Sequence, residues 1–191
     1  MKVLLHACCG PCSVYPLDAL RAEGLELRLY FHNPNIQPYQ EFERRAQAMK
    51  LLAEQRQVPL ILDDRYRPES WLQMVAFREA VRCRLCLRER LSAAARTARH
   101  GGFDAFTTTI LYSRSQQHEL ARELGEAAGE EAGVPFLYRD FRAGWQEGIE
   151  QAKRLGLYRQ QYCGCIFSER DRFLGPPGDP AEPAGDSDGP E

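Results

Sequence analysis

Five short apolar runs alternate along the chain with segments whose apolar residues recur at helical spacing. The runs are KVLLH (2–6), ELRLYF (26–31), VPLILD (58–63), DAFTTTI (104–110) and VPFLY (134–138). Their length and their Val, Ile, Phe and Tyr content predict strands. Between the second and third, PYQEFERRAQAMKLLAEQR (38–56) places Phe42, Ala46, Met49 and Leu52 on one helical face, with Pro38 at a first-turn position. Leu120, Leu124 and Ala128 predict a helix from about Gln116 to Glu131. The stretch RCRLCLRERLSAAARTARH reads as helical from about Leu85 to Arg99. Strands alternating with helices indicate an α/β fold: a single doubly wound, mostly parallel, Rossmann-like sheet, with an inserted helical stretch around residues 66 to 100.

The organisation changes near the C-terminus. The segment LGPPGDPAEPAGDSDGPE (174–191) has five prolines, four glycines, five acids and no base. It predicts a disordered acidic tail after a folded domain of residues 1–173. Over the whole chain the formal charge is -2, but without the tail 25 bases face 22 acids. The body is mildly basic and compatible with a nucleic-acid partner. No apolar stretch approaches the roughly 20 residues of a membrane helix, and the N-terminus lacks a secretory pattern. The expected compartment is the cytoplasm, with no membrane partner.

Seven cysteines change the picture more. They fall into three groups: Cys8, Cys9 and Cys12; Cys83 and Cys86; Cys163 and Cys165. In a reducing compartment such clusters point to metal or redox use rather than to a structural disulfide framework. The first group directly follows the first predicted strand. In doubly wound sheets that is where the ligand crevice opens. No G-x-G-x-x-G or G-x-x-x-x-G-K-[ST] accompanies it, so nucleotide phosphate is not the indicated ligand.

Cys8, Cys9, Cys83 and Cys86 together supply four soft ligands, a set that suits tetrahedral zinc or an iron-sulfur cluster. Adjacent side chains diverge and converge poorly on one zinc ion, whereas the separated corners of a cubane accept them, which favours the cluster. Cys12 remains as a candidate ligand for a second metal or a thiol at a helix N-terminus. In Cys163-Gly164-Cys165 a disulfide would close a very small ring, with glycine supplying backbone freedom. That pair is a candidate two-electron store, two metal ligands, or two idle thiols in a turn.

The combination of ACCGPCS, the C-x-x-C at 83–86, FTTTI at 106–110 and DFRAGWQEGIEQAKRLGLYRQQYCGCIFSE at 140–169 resembles the epoxyqueuosine reductases of the QueH type over about residues 1–173. LYRQQYCGCIFS is its most specific element. The resemblance implies reduction of the epoxide of epoxyqueuosine at the tRNA wobble position, the last step of queuosine synthesis. It implies a [4Fe-4S] cluster bound by Cys8, Cys9, Cys83 and Cys86, and a catalytic redox-active disulfide between Cys163 and Cys165. It also suggests an additional iron ion beside the cluster. The stretch LYSRSQQHE (111–119) differs from the proline-containing version associated with the family.

Without a nicotinamide motif, the electrons are expected from an external donor. Candidate proton donors are Asp18, His32 and Tyr162, and candidate stacking aromatics are Tyr112, Trp145 and Tyr158. Asn33 and Asn35 fall with His32 on the rim after the second strand. For tRNA phosphates the candidates are Arg78, Arg82, Arg84, Arg88, Arg90, Arg96 and Arg99. Two alternatives are a zinc-binding tRNA-modifying or nucleic-acid-binding protein, and a metal-free thiol-disulfide oxidoreductase using Cys83 and Cys86.

Overall fold

The computed structural model of the chain describes residues 1–175; the remainder of the predicted tail, 176–191, lies outside the described residues. Four strands, β1 (Lys2–His6), β2 (Glu26–Phe31), β3 (Leu60–Leu62) and β4 (Ala105–Thr108), form one sheet in the order β3-β2-β1-β4. Every pairing is parallel. The order reverses between β1 and β4, so the crevice expected of a doubly wound sheet opens beyond His6 and Thr108. The predicted strand at 134–138 contributes only a bridge between Phe136 and Phe106, because Leu137 N–H and the Pro135 carbonyl both bond to Phe106 and pairing goes no further.

The central strands are buried over most of their length. Val3, Leu4, Leu5, Leu29 and Phe31 have no accessible surface, as expected of parallel strands covered on both faces. The helices α1 (Gly10–Ala22) and α2 (Tyr39–Gln55) cover one side, joined by α6 (Trp145–Arg154) against α1. The helices α4 (Arg82–His100) and α5 (His118–Ala132) pack together, with α4 against β1 and β4. The stretch expected as an insertion therefore divides in two. Its second half, α4, is the crossover from β3 to β4 and begins a turn before the predicted start; only α3 (Pro68–Val75) and a short 3-10 turn (Glu79–Val81) are extra. The segment after α6 runs back over the crevice and enters α7 (Ile166–Leu174).

Candidate functional site

The first cysteine group is shaped by the end of β1. Cys9 caps α1 in an extended conformation, Pro11 stands in the first turn, and Ser13 Oγ donates to the Cys9 carbonyl at 2.7 Å. Gly10 is required by packing: a Cβ there would meet the Ala48 carbonyl oxygen of α2 at 3.0 Å. Cys9 and Cys12, three residues apart, lie on one face of the helix start, and Cys8 precedes them. Their three sulfurs lie within 4.8 Å of one another. Thr108 at the end of β4 and Thr109 just after it hold this turn from the other side. Thr109 Oγ1 accepts from Cys8 N–H at 3.0 Å and donates to Cys8 Sγ at 3.2 Å, while Thr108 Oγ1 meets His6 Nδ1 at 2.9 Å.

Proton placement in this triad is unequal. Hydrogen bonds from Cys12 and Cys9 pull Cys8 well below the ordinary thiol range, helped by Arg90 and Thr109. Burial pushes Cys9 up, and the bonds to Cys8 and Cys9 push Cys12 up. Cys8 is thus the thiol of the three that gives up its proton most readily, in a set that binds a soft cation by releasing protons.

Cys83 and Cys86 occupy the first two turns of α4 and are not part of that triad. They line a cavity of about 170 Å³ together with Asn35, Trp71, Cys163 and Cys165. Cys8 and Cys12 line a larger one of about 450 Å³ with Arg45, Arg90, Trp145 and Tyr162. The two cavities adjoin, since Ser115, Gln116, Cys163 and Ser168 belong to the walls of both. Burial raises both α4 thiols, that of Cys86 to about 12. Cys86 packs with Trp71, Val75 and Cys165 in a small apolar cluster.

Arg90 spans the two groups. It is 3% exposed, donates to Cys86 Sγ at 3.8 Å, and stands beside Cys8 as well as Cys86. No carboxylate pairs with it among the described residues, and its Nε is buried without a partner. A guanidinium so placed requires negative charge nearby. Arg90 is therefore removed from the phosphate-binding surface that the sequence suggested. Its place in the buried stripe Cys86, Leu87, Arg90, Leu91, Ala94 and Ala98 was the available signal.

The third group is held by tertiary contacts. Arg45, 2% exposed, bonds through Nε to Glu41 at 2.7 Å and donates to the carbonyls of Cys163 (2.7 Å) and Tyr162 (2.9 Å). Gln37 N–H donates to the Gly164 carbonyl at 2.8 Å, and Tyr162 OH donates to the Gln37 carbonyl at 2.8 Å. Gly164 has φ +140°, a conformation that favours glycine. Both thiols are free in this structure. Gln116 Nε2 donates to Cys163 Sγ at 3.0 Å, and Ser168 N–H to Cys165 Sγ at 3.4 Å. Gln160, two turns of sequence before α7, donates to Cys9 Sγ at 2.8 Å. None of Arg45, Glu41, Gln116 or Gln160 stood out in the sequence, because each acts across a long sequence separation.

The remaining candidates separate cleanly. Asp18 pairs with Arg56 at 3.0 Å and lines neither cavity. His32 faces Asp63 at 3.0 Å in a different, small cavity with Asn33 and Glu89. Tyr162 lines the large cavity, but its hydroxyl is engaged with Gln37, and burial raises its pKa. Of the aromatics, Trp145 lines that cavity, Tyr112 is buried with its hydroxyl on the Trp145 carbonyl, and Tyr158 bonds Glu41. Arg82 pairs with Asp171 and Arg84 with Glu123, whereas Arg78, Arg88, Arg96 and Arg99 are exposed. No helix among the described residues is long and apolar enough to cross a membrane.

With this geometry in place, likeness to known proteins is informative. A family model described as epoxyqueuosine reductase QueH matches residues 3–171. A Dehalococcoides mccartyi protein named epoxyqueuosine reductase QueH is 37% identical over 180 residues, covering 94% of this chain and 98% of that protein. A protein of the same name from Thermotoga maritima is 34% identical over 183 residues, covering 89% and 91%. A solved structure described as a predicted subunit of tRNA methyltransferase from Methanocaldococcus jannaschii superposes with a TM-score of 0.51 at 12% identity, over 80% of this chain and 74% of that one. At that identity the likeness concerns the α/β fold alone.

Proposed function

The chain belongs to the epoxyqueuosine reductase QueH family, and from that premise we propose that it reduces the epoxide of epoxyqueuosine in tRNA to give queuosine. Removing the epoxide oxygen as water takes two electrons and two protons. The chain is an oxidoreductase working on a wobble nucleoside, in the cytoplasm, with electrons from an external donor. The zinc-protein and metal-free alternatives are not favoured by its relatives.

One observation carries the cofactor assignment: the buried guanidinium of Arg90, without a carboxylate partner among the described residues, set between Cys8 and Cys86. An anionic iron-sulfur cluster on Cys8, Cys9, Cys83 and Cys86 would supply the missing charge. The sulfur-only donor set fits such a group in kind, and Cys8 lines a cavity adjoining the one that Cys83 and Cys86 line. Cys12 is then the sulfur left beside it for an additional iron ion. When bound, the cluster would relay electrons one at a time and supply Lewis acidity.

The chain's own residues do the rest. Trp145 and Tyr162 provide aromatic wall for a nucleoside that has left its stack. Arg90 and Arg45 stabilise negative charge on sulfur, and the amides of Gln116 and Gln160 donate to Cys163 and Cys9. Cys163, on the walls of both cavities, and Cys165 form the dithiol that supplies two electrons and two protons while becoming a disulfide. The test is anaerobic reconstitution followed by mass analysis of nucleosides from epoxyqueuosine-containing tRNA. Conversion to queuosine supports the proposal; intact epoxyqueuosine with a fully loaded, reduced protein refutes it.

A further inference from the structure

The loop 162–164 is fastened by its main chain. Three of its polar groups, the Tyr162, Cys163 and Gly164 carbonyls, are bonded to Arg45 and to Gln37 N–H, while Gly164 N–H donates to Ser168 Oγ at 3.2 Å. A Cβ on Gly164 would meet Ile36 at 3.0 Å and both Arg45 Nη1 and Asn35 Nδ2 at 3.2 Å. The loop therefore sits against a preformed cradle. Its one charged member, Arg45, is itself anchored by Glu41, which also accepts from Tyr158 OH.

Within that cradle the two sulfurs are turned toward separate partners. Cys163 is exposed as a residue and takes its hydrogen bond from Gln116, on the loop before α5. Cys165 is 8% exposed, lies among Trp71, Val75 and Cys86, and takes its bond from Ser168 of α7. Both hydrogen bonds are made to the separate thiols, so the cradle as it stands holds the dithiol.

We propose that Arg45 is a positioning residue that sets the redox equilibrium of the Cys163–Cys165 pair through the Tyr162 and Cys163 carbonyls. The inference rests on the reading of that pair as the reductant. The two thiols form one Sγ–Sγ bond, and two electrons and two protons pass to the epoxide, whose oxygen leaves as water. The external donor then returns two electrons, with two protons from solvent, to regenerate both thiols. By holding the loop in its dithiol arrangement, Arg45 eases that return.

The experiment equilibrates anaerobically prepared holoprotein with dithiothreitol buffers of graded oxidised fraction, alkylates it, and weighs the tryptic peptide of residues 160–170. That peptide carries only Cys163 and Cys165 as cysteines. Arg45→Lys keeps the buried charge but cannot bond both carbonyls and Glu41 in a planar fork. The variant should shift the disulfide-to-dithiol ratio at a given buffer toward disulfide by about tenfold, which is about 30 mV for a two-electron couple. Turnover limited by the donor's return of electrons should fall in kcat with KM for tRNA unchanged. If Arg45→Lys fails to fold, the paired replacement Arg45→Met with Glu41→Gln removes both charges and should give the same shift. A ratio within twofold of wild type in a folded variant overturns the positioning role. Absence of any disulfide in wild type across the whole series instead overturns the reductant reading on which it rests.

Discussion

The two ends of the chain bring thiols to the same crevice by different physics. Cys8, Cys9 and Cys12 are placed by secondary structure: a strand ends, a helix begins, and three sulfurs converge within 4.8 Å. Cys163 and Cys165 are placed by a loop whose carbonyls are bound by Arg45, from a helix more than a hundred residues earlier. The first arrangement is dictated locally and is suited to a permanent ligand. The second depends on removable side-chain bonds and is suited to a pair that must change state. A single crevice can hence combine a fixed electron site with a movable one.

The sharpest way to break that comparison is to remove one sulfur from each region. Cys8→Ser should lose the brown colour, the bound iron and at least ~10³-fold of activity, since a lost ligand removes the group that supplies the chemistry. Cys163→Ser should retain iron and colour while losing turnover to a similar degree. Iron content and single-turnover assays on both variants check this. A colourless Cys163→Ser protein would make the second region part of the metal site and erase the distinction.

Arg90→Met probes what joins the regions. In metal-free protein it removes a buried charge without a carboxylate partner and should leave stability unchanged or raise it by about 1–3 kcal/mol, measured by urea denaturation. In loaded protein it should hasten cluster loss under chelator. A variant destabilised in both states would mean that Arg90 serves packing alone.

For tRNA, the exposed Arg78 and Arg88 beside the second cysteine pair should each contribute about one phosphate contact. Reversing both to Glu is expected to weaken binding roughly 10- to 100-fold and to flatten the salt dependence, as lost phosphate contacts do. Unchanged titrations at two salt concentrations would move the tRNA surface elsewhere. The smallest effect concerns Asp63, which lies by neither thiol group. Arg65, then His32, holds its carboxyl down at about 2. A depressed folded-state pKa contributes stability above the unfolded value near 3.9 that disappears as pH falls through about 2. With Arg65 exposed, screening reduces this to about 1 kcal/mol. Asp63→Asn should therefore be less stable than wild type at pH 7 and nearly equal to it at pH 2, with iron content unaltered.

Much of the fold was legible. β1 and β2 coincide with their apolar runs, and the α2 and α5 faces follow the spacing of Phe42, Ala46, Met49, Leu124 and Ala128. The run at 134–138 has strand composition but only one ladder partner, which composition does not encode. At the site, the grouping of cysteines could be read because the sheet's reversal point fixes where β1 ends, whereas the contacts of Thr108 and Thr109 with His6 and Cys8 came only with the fold. Nor could the guanidiniums be read. Arg45 and Arg90 sit on helices rich in solvent-facing arginines, and nothing local distinguishes a buried arginine from an exposed one except its place in the apolar stripe. Asp18 and Tyr112 were misread for the converse reason: proximity in sequence to the crevice is not access to it.

The most direct test of the account is the iron and acid-labile sulfide content of the wild-type chain after anaerobic reconstitution. The prediction is equal amounts of each, about four per chain for the cubane, with a further iron where Cys12 also binds one. A protein saturated by a single zinc ion, holding no sulfide and unable to take any up, would contradict it.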